Sequence, residues 1–215
     1  MAQDEFQVEP VRGLPEALPE GEHILWQGRP AVWPLARASM SVRLVAGYFA
    51  LLAVWRGAAI GLEHGQEAGL WAASWYIMLG VLATLILLSM AVVFARTTVY
   101  TLTTHRVAMR VGAALTITLN LPYRWIAKAD LAMERDGTGS IYLDLKGSTR
   151  FSYLVLWPHV KPWVMNPTQP TLRAIPDARR VAEILGRAAE QRVAAITSEL
   201  EPERSAAAPA AVAAE

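Results

Sequence analysis

The chain has 215 residues, 53% of them hydrophobic and 18% charged, with a formal net charge of +1. This balance, with no basic block, argues against an electrostatic nucleic-acid binder, which concentrates Lys and Arg to release phosphate counterions. The absence of cysteine removes disulfides, thiolate metal sites and cysteine nucleophiles, and is compatible with a reducing cytoplasm.

Residues 1–38 read as a cytoplasmic N-terminal segment. Its first twenty residues are acidic and proline-rich with no apolar core, so no cleavable signal peptide is expected and insertion must use internal spans. Two apolar stretches follow. Leu44 to Leu62 is broken only by Arg56, and Ala68 to Ala95 carries no charged side chain. About 20 residues rising about 1.5 Å each cross a hydrocarbon core of about 30 Å. The pattern therefore predicts a two-helix transmembrane hairpin over 39–95, with helices near 40–61 and 72–95.

Arg29, Arg37 and Arg43 precede the hairpin and Arg96, Arg106 and Arg110 follow it, whereas the connecting loop holds Glu63, His64 and Glu67 but no Lys or Arg. The positive-inside rule then places both termini in the cytoplasm, and Trp55, Trp71, Trp75 and Tyr76 at the opposite interface. Arg56 has two readings. It snorkels beside Trp55, or it meets another membrane protein where Gly57, Ala58, Ala59 and Gly61 permit close helix approach.

From Thr97 the apolar period becomes two. Leu115, Ile117, Leu119 and Leu121 alternate with polar residues, as do Ile141, Leu143 and Leu145. Thr98–Thr103, Arg106–Val111, Ile126–Arg135 and Phe151–Trp157 are further strand candidates, Leu172–Ile175 is a possible seventh, and Asp136 to Gly139 marks a tight reversal. After Pro176, Asp177 is placed as an N-cap, and Val181, Ile184, Leu185, Ala188, Val193 and Ile196 form one helical face. The fold class expected is a membrane α-helical hairpin plus a mainly-β barrel of six or seven antiparallel strands, closed by a C-terminal amphipathic helix and occupying 97–200.

No phosphate-binding glycine loop, zinc-protease helix or serine-hydrolase elbow is present, so no catalytic residue, cofactor or metal is expected. His23, His64, His105 and His159 all lie outside the apolar stretches, so no imidazole is expected to ligate a metal centre within the membrane. Glu63, His64 and Glu67 lack a recognised metal-ligand spacing. Binding surfaces are the better prospect. Arg96, His105, Arg106, Arg110, Arg124 and Lys128 are candidates for a basic face toward lipid headgroups, or they are ordinary solvated cations and topology signals. Trp157, His159, Trp163 and Met165 sit among Pro158, Pro162, Pro167 and Pro170. They are candidates for a stiff partner-binding segment, with Arg56 in the hairpin; the alternative is that these aromatics finish the barrel core.

The segments YTLTTHRVAMRVG, LNLPYRWIAKADL and DGTGSIYLDL resemble bacterial pleckstrin-homology domains found beside membrane spans, and ILWQGRP is similar to a Trp-x-Gly-x-Pro segment that precedes the first span in such proteins. The whole layout resembles the photosynthetic complex assembly proteins of purple bacteria, through GLPEALPEGEHILWQGRP, AGYFALLAVWRG and LWPHVKPWVMNPTQPTLRAIPDA. Together these cover most of residues 10 to 190. The resemblance implies a non-enzymatic assembly factor of the cytoplasmic or intracytoplasmic membrane, with reaction-centre subunits and core antenna polypeptides as partners. Self-association through the spans is also expected. The alternative is a tethered module that binds lipid headgroups or envelope proteins. The alanine-rich tail, 201–215, lies outside the resemblance and reads as disordered.

Overall fold

The computed structural model describes residues 13–14, 16–112, 116–147 and 151–207, with the backbone alone beyond 198. Leu115, residues 1–12 and the end of the alanine-rich tail therefore lie outside the described residues. In chain order the elements are β1 (Ile24–Gly28), α1 (Val32–Ser39), α2 (Val42–His64), α3 (Gln66–Thr97), β2 (Val99–Thr103), β3 (Arg106–Val111), β4 (Ile117–Pro122), a 3-10 turn (Tyr123–Trp125), β5 (Ile126–Met133), β6 (Gly139–Leu145), α4 (Tyr153–Leu156), β7 (Val160–Met165), β8 (Thr168–Ile175) and α5 (Ala178–Ala207).

The two apolar stretches form α2 and α3, of about 35 and 48 Å at 1.5 Å per residue. Only Gly65 separates them, with φ of 91°, so the reversal is tighter than the loop expected between 61 and 72. Both helices are long and apolar enough to cross a membrane, and little of either is buried within the protein. A core helix of a soluble fold would hide such a surface.

Close contacts set the register of the hairpin. A Cβ on Gly69 would stand 2.5 Å from the Gly57 carbonyl oxygen and 2.8 Å from Gly61 Cα, and one on Gly80 would stand 2.6 Å from Phe49 Cβ. Gly57 and Gly61 therefore serve the contact inside the hairpin, as small residues do when two helices approach closely. Of the other residues anticipated at a partner face here, Arg56 and Ala58 are exposed.

Two four-stranded antiparallel sheets follow, ordered β1-β2-β3-β4 and β5-β6-β8-β7. The expected class holds, with eight strands among the described residues in place of six or seven, and with two sheets facing one another instead of a closed barrel. Tyr100, Leu102, Met109 and Leu121 of one sheet and Ile141, Leu143, Leu172 and Ile175 of the other fill the core. Val181, Leu185 and Ala188 of α5 pack onto it. Val193 is half-exposed, so the expected apolar face of α5 is not covered along its whole length. The helix itself continues to Ala207, into the tail expected to be disordered. Asp177 does begin α5, through its carbonyl, which accepts from the Val181 N–H at 3.2 Å.

The two additional strands have physical reasons for escaping a period-two reading. β1 is an edge strand whose Trp26 ring lies where a Cβ on Gly28 would be, which accounts for the Trp-x-Gly spacing. β7 contains Pro162, tolerated because β7 too lies at a sheet edge. The strand anticipated over Phe151–Trp157 is instead the single turn α4. Tyr153 and Leu156 face inward and Leu154 and Val155 outward, a helical and not an alternating pattern. All of β2 is buried. Tyr100 and Leu102 meet the core, and the N-terminal stretch covers the other face: Gly13 against Val99, Gln27 bonded to Thr101 and Glu22 bonded to Thr103.

Gly69→Ala should loosen the hairpin by about 1–3 kcal/mol, the usual cost of overpacking a close contact. Thermal unfolding in detergent checks this; an unchanged midpoint would mean that the helices separate without cost.

Candidate interaction surface at the hairpin–domain junction

Helix α1 was not anticipated, because Pro30 and Pro34 flank and enter it. Pro34 falls within the first turn, where the helix has no N–H acceptor to lose. The helix is wedged between hairpin and sheets. Ala36 and Met40 pack with Val42 and Ala91, while Leu35 packs with Ala95 and Ala174. At its start the Ala31 N–H donates to the Ala174 carbonyl at 2.7 Å. Ser41 then turns the chain into α2 with φ of 50°, an unfavoured conformation for a residue with a Cβ.

Beside α1 lies a buried polar network. Arg173 is 4% exposed, and its two Nη groups donate to the carbonyls of Val160 and Ala38, both at 2.9 Å. Its backbone N–H donates to the Tyr100 hydroxyl at 3.1 Å. That leaves the Tyr100 O–H to donate to His159 Nδ1 at 2.6 Å and the His159 Nε2–H to donate to Thr98 Oγ1 at 2.9 Å. The donor and acceptor roles follow from completing the chain of bonds. Thr98 directly follows α3, so the network runs from the end of the hairpin through β2 to β8. Burial raises the Tyr100 phenol above its usual value and keeps it a donor. Burial also lowers Arg173 from its usual value, though it is opposed by neighbouring tyrosines and Glu134.

The four partner candidates in the Trp157–Pro170 region are thereby divided. His159 is wholly buried, and Trp157 packs edge-on against Phe94 of α3 with ring centres 5.7 Å apart. These two belong to the junction, as the core reading of this segment requires. Trp163 and Met165 are 90% and 65% exposed on the β7 edge, where the core reading fails. Trp163 has φ of 64°, a conformation that costs about 1–2 kcal/mol for an L-residue. Among the described residues nothing covers this indole, which the backbone holds out from the sheet edge at that cost.

The basic candidates do not form one face. Arg96 and Arg110 lie where α3 meets the sheets, Arg110 being paired in register with Val99. Arg106 and Arg124 lie at the opposite end of β3, beside Pro122. Arg106 is bound there to both carboxylate oxygens of buried Glu22, at 3.0 and 3.2 Å. Lys128 is on the other sheet, 2.6 Å from Asp130. That hydrogen bond raises its pKa above the usual value. Arg37, read from the sequence as a topology signal, bridges α1 to Glu134 and Asp136 at 3.2 and 3.0 Å. Thr138 first, and Arg37 with it, hold Asp136 below the usual carboxylate range. Among the described residues no group of three or more His, Asp or Glu is placed to hold a metal ion.

Burial, with the Arg173 charge adding to it, lowers His159 from its usual 6.5 to about 3. Between those values the unfolded chain binds a proton that the folded chain does not. The contribution of neutral His159 is therefore complete above pH 6.5 and falls as the pH drops, by at most about 1.4 kcal/mol per unit. His159→Gln should flatten the decline in stability between about pH 6.5 and 5 in detergent unfolding; an unaltered slope would assign it to other groups. Trp163→Ala should leave stability within about 0.5 kcal/mol, whereas Trp157→Ala should cost more than about 1 kcal/mol. The opposite ranking in thermal unfolding would refute this division.

Comparison with known proteins fits this architecture. The chain is 40% identical over 195 residues to a Rhodobacter capsulatus protein named as an uncharacterized 23.7 kDa protein in the puhA 5' region, covering 90% of this chain and 91% of that one. No solved structure matches. The family described as the bacterial PH domain matches residues 41–189, which take in both helices of the hairpin and strands β2 to β8, and the chain belongs to that family.

Proposed function

We propose that this protein is a non-enzymatic membrane assembly factor that holds or recruits subunits of the photosynthetic reaction centre and core light-harvesting complex. The observation that carries this reading is its 40% identity, over nine-tenths of the chain, to a protein named for the puhA 5' region, a photosynthesis gene neighbourhood. In this reading the hairpin crosses the cytoplasmic or intracytoplasmic membrane twice and both termini lie in the cytoplasm.

The geometry supports binding over chemistry. Along α2 and α3 an apolar surface is left uncovered, and the β7 edge offers Trp163 and Met165 to the same compartment. Membrane confinement raises the effective concentration of neighbouring subunits, so contacts at these surfaces can be weak and reversible. A headgroup-binding module is less well supported, because the cations divide between two ends of the domain and Arg106 and Lys128 already have acidic partners.

Mild-detergent recovery of a tagged chain from cells making photosynthetic membrane should co-purify reaction-centre or core-antenna polypeptides. Paired Trp163→Ala and Met165→Ala substitutions should lower that recovery several-fold at unchanged expression, and Arg56→Leu tests the hairpin surface in the same assay. Recovery of lipid or unrelated envelope proteins alone would overturn the reading.

A further inference from the structure

Helix α4 is a single turn with two faces. Tyr153 and Leu156 join the core, whereas Leu154 and Val155 point outward, 84% and 51% exposed. The Trp157 N–H closes the turn on the Tyr153 carbonyl at 3.0 Å. Trp157 itself packs against Phe94 and against the cluster of Ala36, Met40, Val42 and Ala91. Leu154 is three positions before Trp157, a spacing that puts two residues on adjoining surface of a helical turn. Leu154 thus adjoins Trp157, which rests on the hairpin at the level of the last turns of α3, and Val155 is exposed next to Leu154. Arg43 and Arg96, both exposed, occupy that same level at the start of α2 and the end of α3.

We infer that α4 dips into the interfacial layer of the bilayer, with Leu154 and Val155 at the boundary of headgroups and acyl chains and Trp157 beside them, so that the two-sheet domain lies against the membrane in one orientation. The inference rests on the hairpin spanning the membrane, and not on the identity of any protein partner. Continuity selects lipid as the occupant. Below Phe94 the hairpin's apolar side chains face the hydrocarbon, and aliphatic residues flanked by tryptophan and arginine suit the layer just above it. Insertion at this second point would restrain rotation of the domain about the end of α3. The β7 edge would then stay at a constant height above the membrane surface, within reach of subunits embedded beside it.

The chain has no cysteine, so single-cysteine variants can carry an environment-sensitive fluorophore without background. Leu154→Cys, Ile86→Cys and Arg124→Cys in the full chain, reconstituted into phosphatidylcholine–phosphatidylglycerol vesicles, report on α4, the middle of α3 and the far end of the domain. Leu154 should show blue-shifted emission quenched by lipid with a doxyl group near the headgroup, Ile86 should be quenched by doxyl deep in the chain, and Arg124 by neither. Quenching at Ile86 with Leu154 behaving like Arg124 would overturn the inference and leave the spanning hairpin standing. Absence of quenching at Ile86 would remove both. Shielding of Leu154 from aqueous iodide without quenching by lipid would show a protein on α4, and would equally overturn the assignment.

Discussion

The structure depends on a buried guanidinium that makes its hydrogen bonds to main-chain carbonyls. Arg173 spends its Nη groups on two main-chain carbonyls, one in α1 and one at the start of β7. A charge removed from water must find polar partners nearby, and these partners exist only when α1, β7 and β8 are assembled together. The Tyr100–His159–Thr98 chain extends the same requirement to the first residue after α3. Hairpin and sheets are therefore joined by hydrogen bonds that break if either moves, and not by a loose linker.

That constraint explains the use of the proline-rich stretch. Trp157 and His159 are drawn into the junction, and the strand that begins at Val160 must leave along the open edge of the second sheet. Trp163 and Met165 are carried outward, where no part of the described chain covers them. A single run of aromatic and proline residues thus does two jobs, one half fastening the domain to α3 and the other half facing outward. The segment preceding α2 is divided similarly: Glu22, Gln27 and Trp26 finish the first sheet, while Leu35 and Ala36 fill the space against α3.

The family match begins at Ser41, so β1 and α1 precede the matched range although both are built into the fold. Ser41 is also the sharp turn between α1 and α2. The matched unit is thus the hairpin with strands β2 to β8, and the preceding residues supply the edge strand β1 and the wedge that braces hairpin and sheets against one another. A braced domain presents its exposed edge at a defined distance from the hairpin, and pre-organised surfaces of this kind lose less entropy on binding.

Much of this was legible in the residues alone. Long uncharged runs can only be core or membrane helices, alternating Leu and Ile in Leu119–Leu121 and Ile141–Leu145 mark strands with one buried face, and Val181, Leu185 and Ala188 mark a helix, because each pattern reflects a local repeat of the backbone. α1, β1 and β7 escaped because prolines or a short edge position interrupt the repeat, and α4 escaped because one turn is too short to display it. The sequence by itself determined the hairpin, the mainly-β class of the domain that follows it and the terminal helix. Only the tertiary structure decided that Gly57 and Gly61 serve Gly69, that Arg106 belongs to Glu22, and that Trp157 is fastened while Trp163 is free. These outcomes depend on which polar and apolar groups meet across long separations, as when Arg173 reaches Ala38 from 135 residues away, and local periodicity carries no record of such meetings.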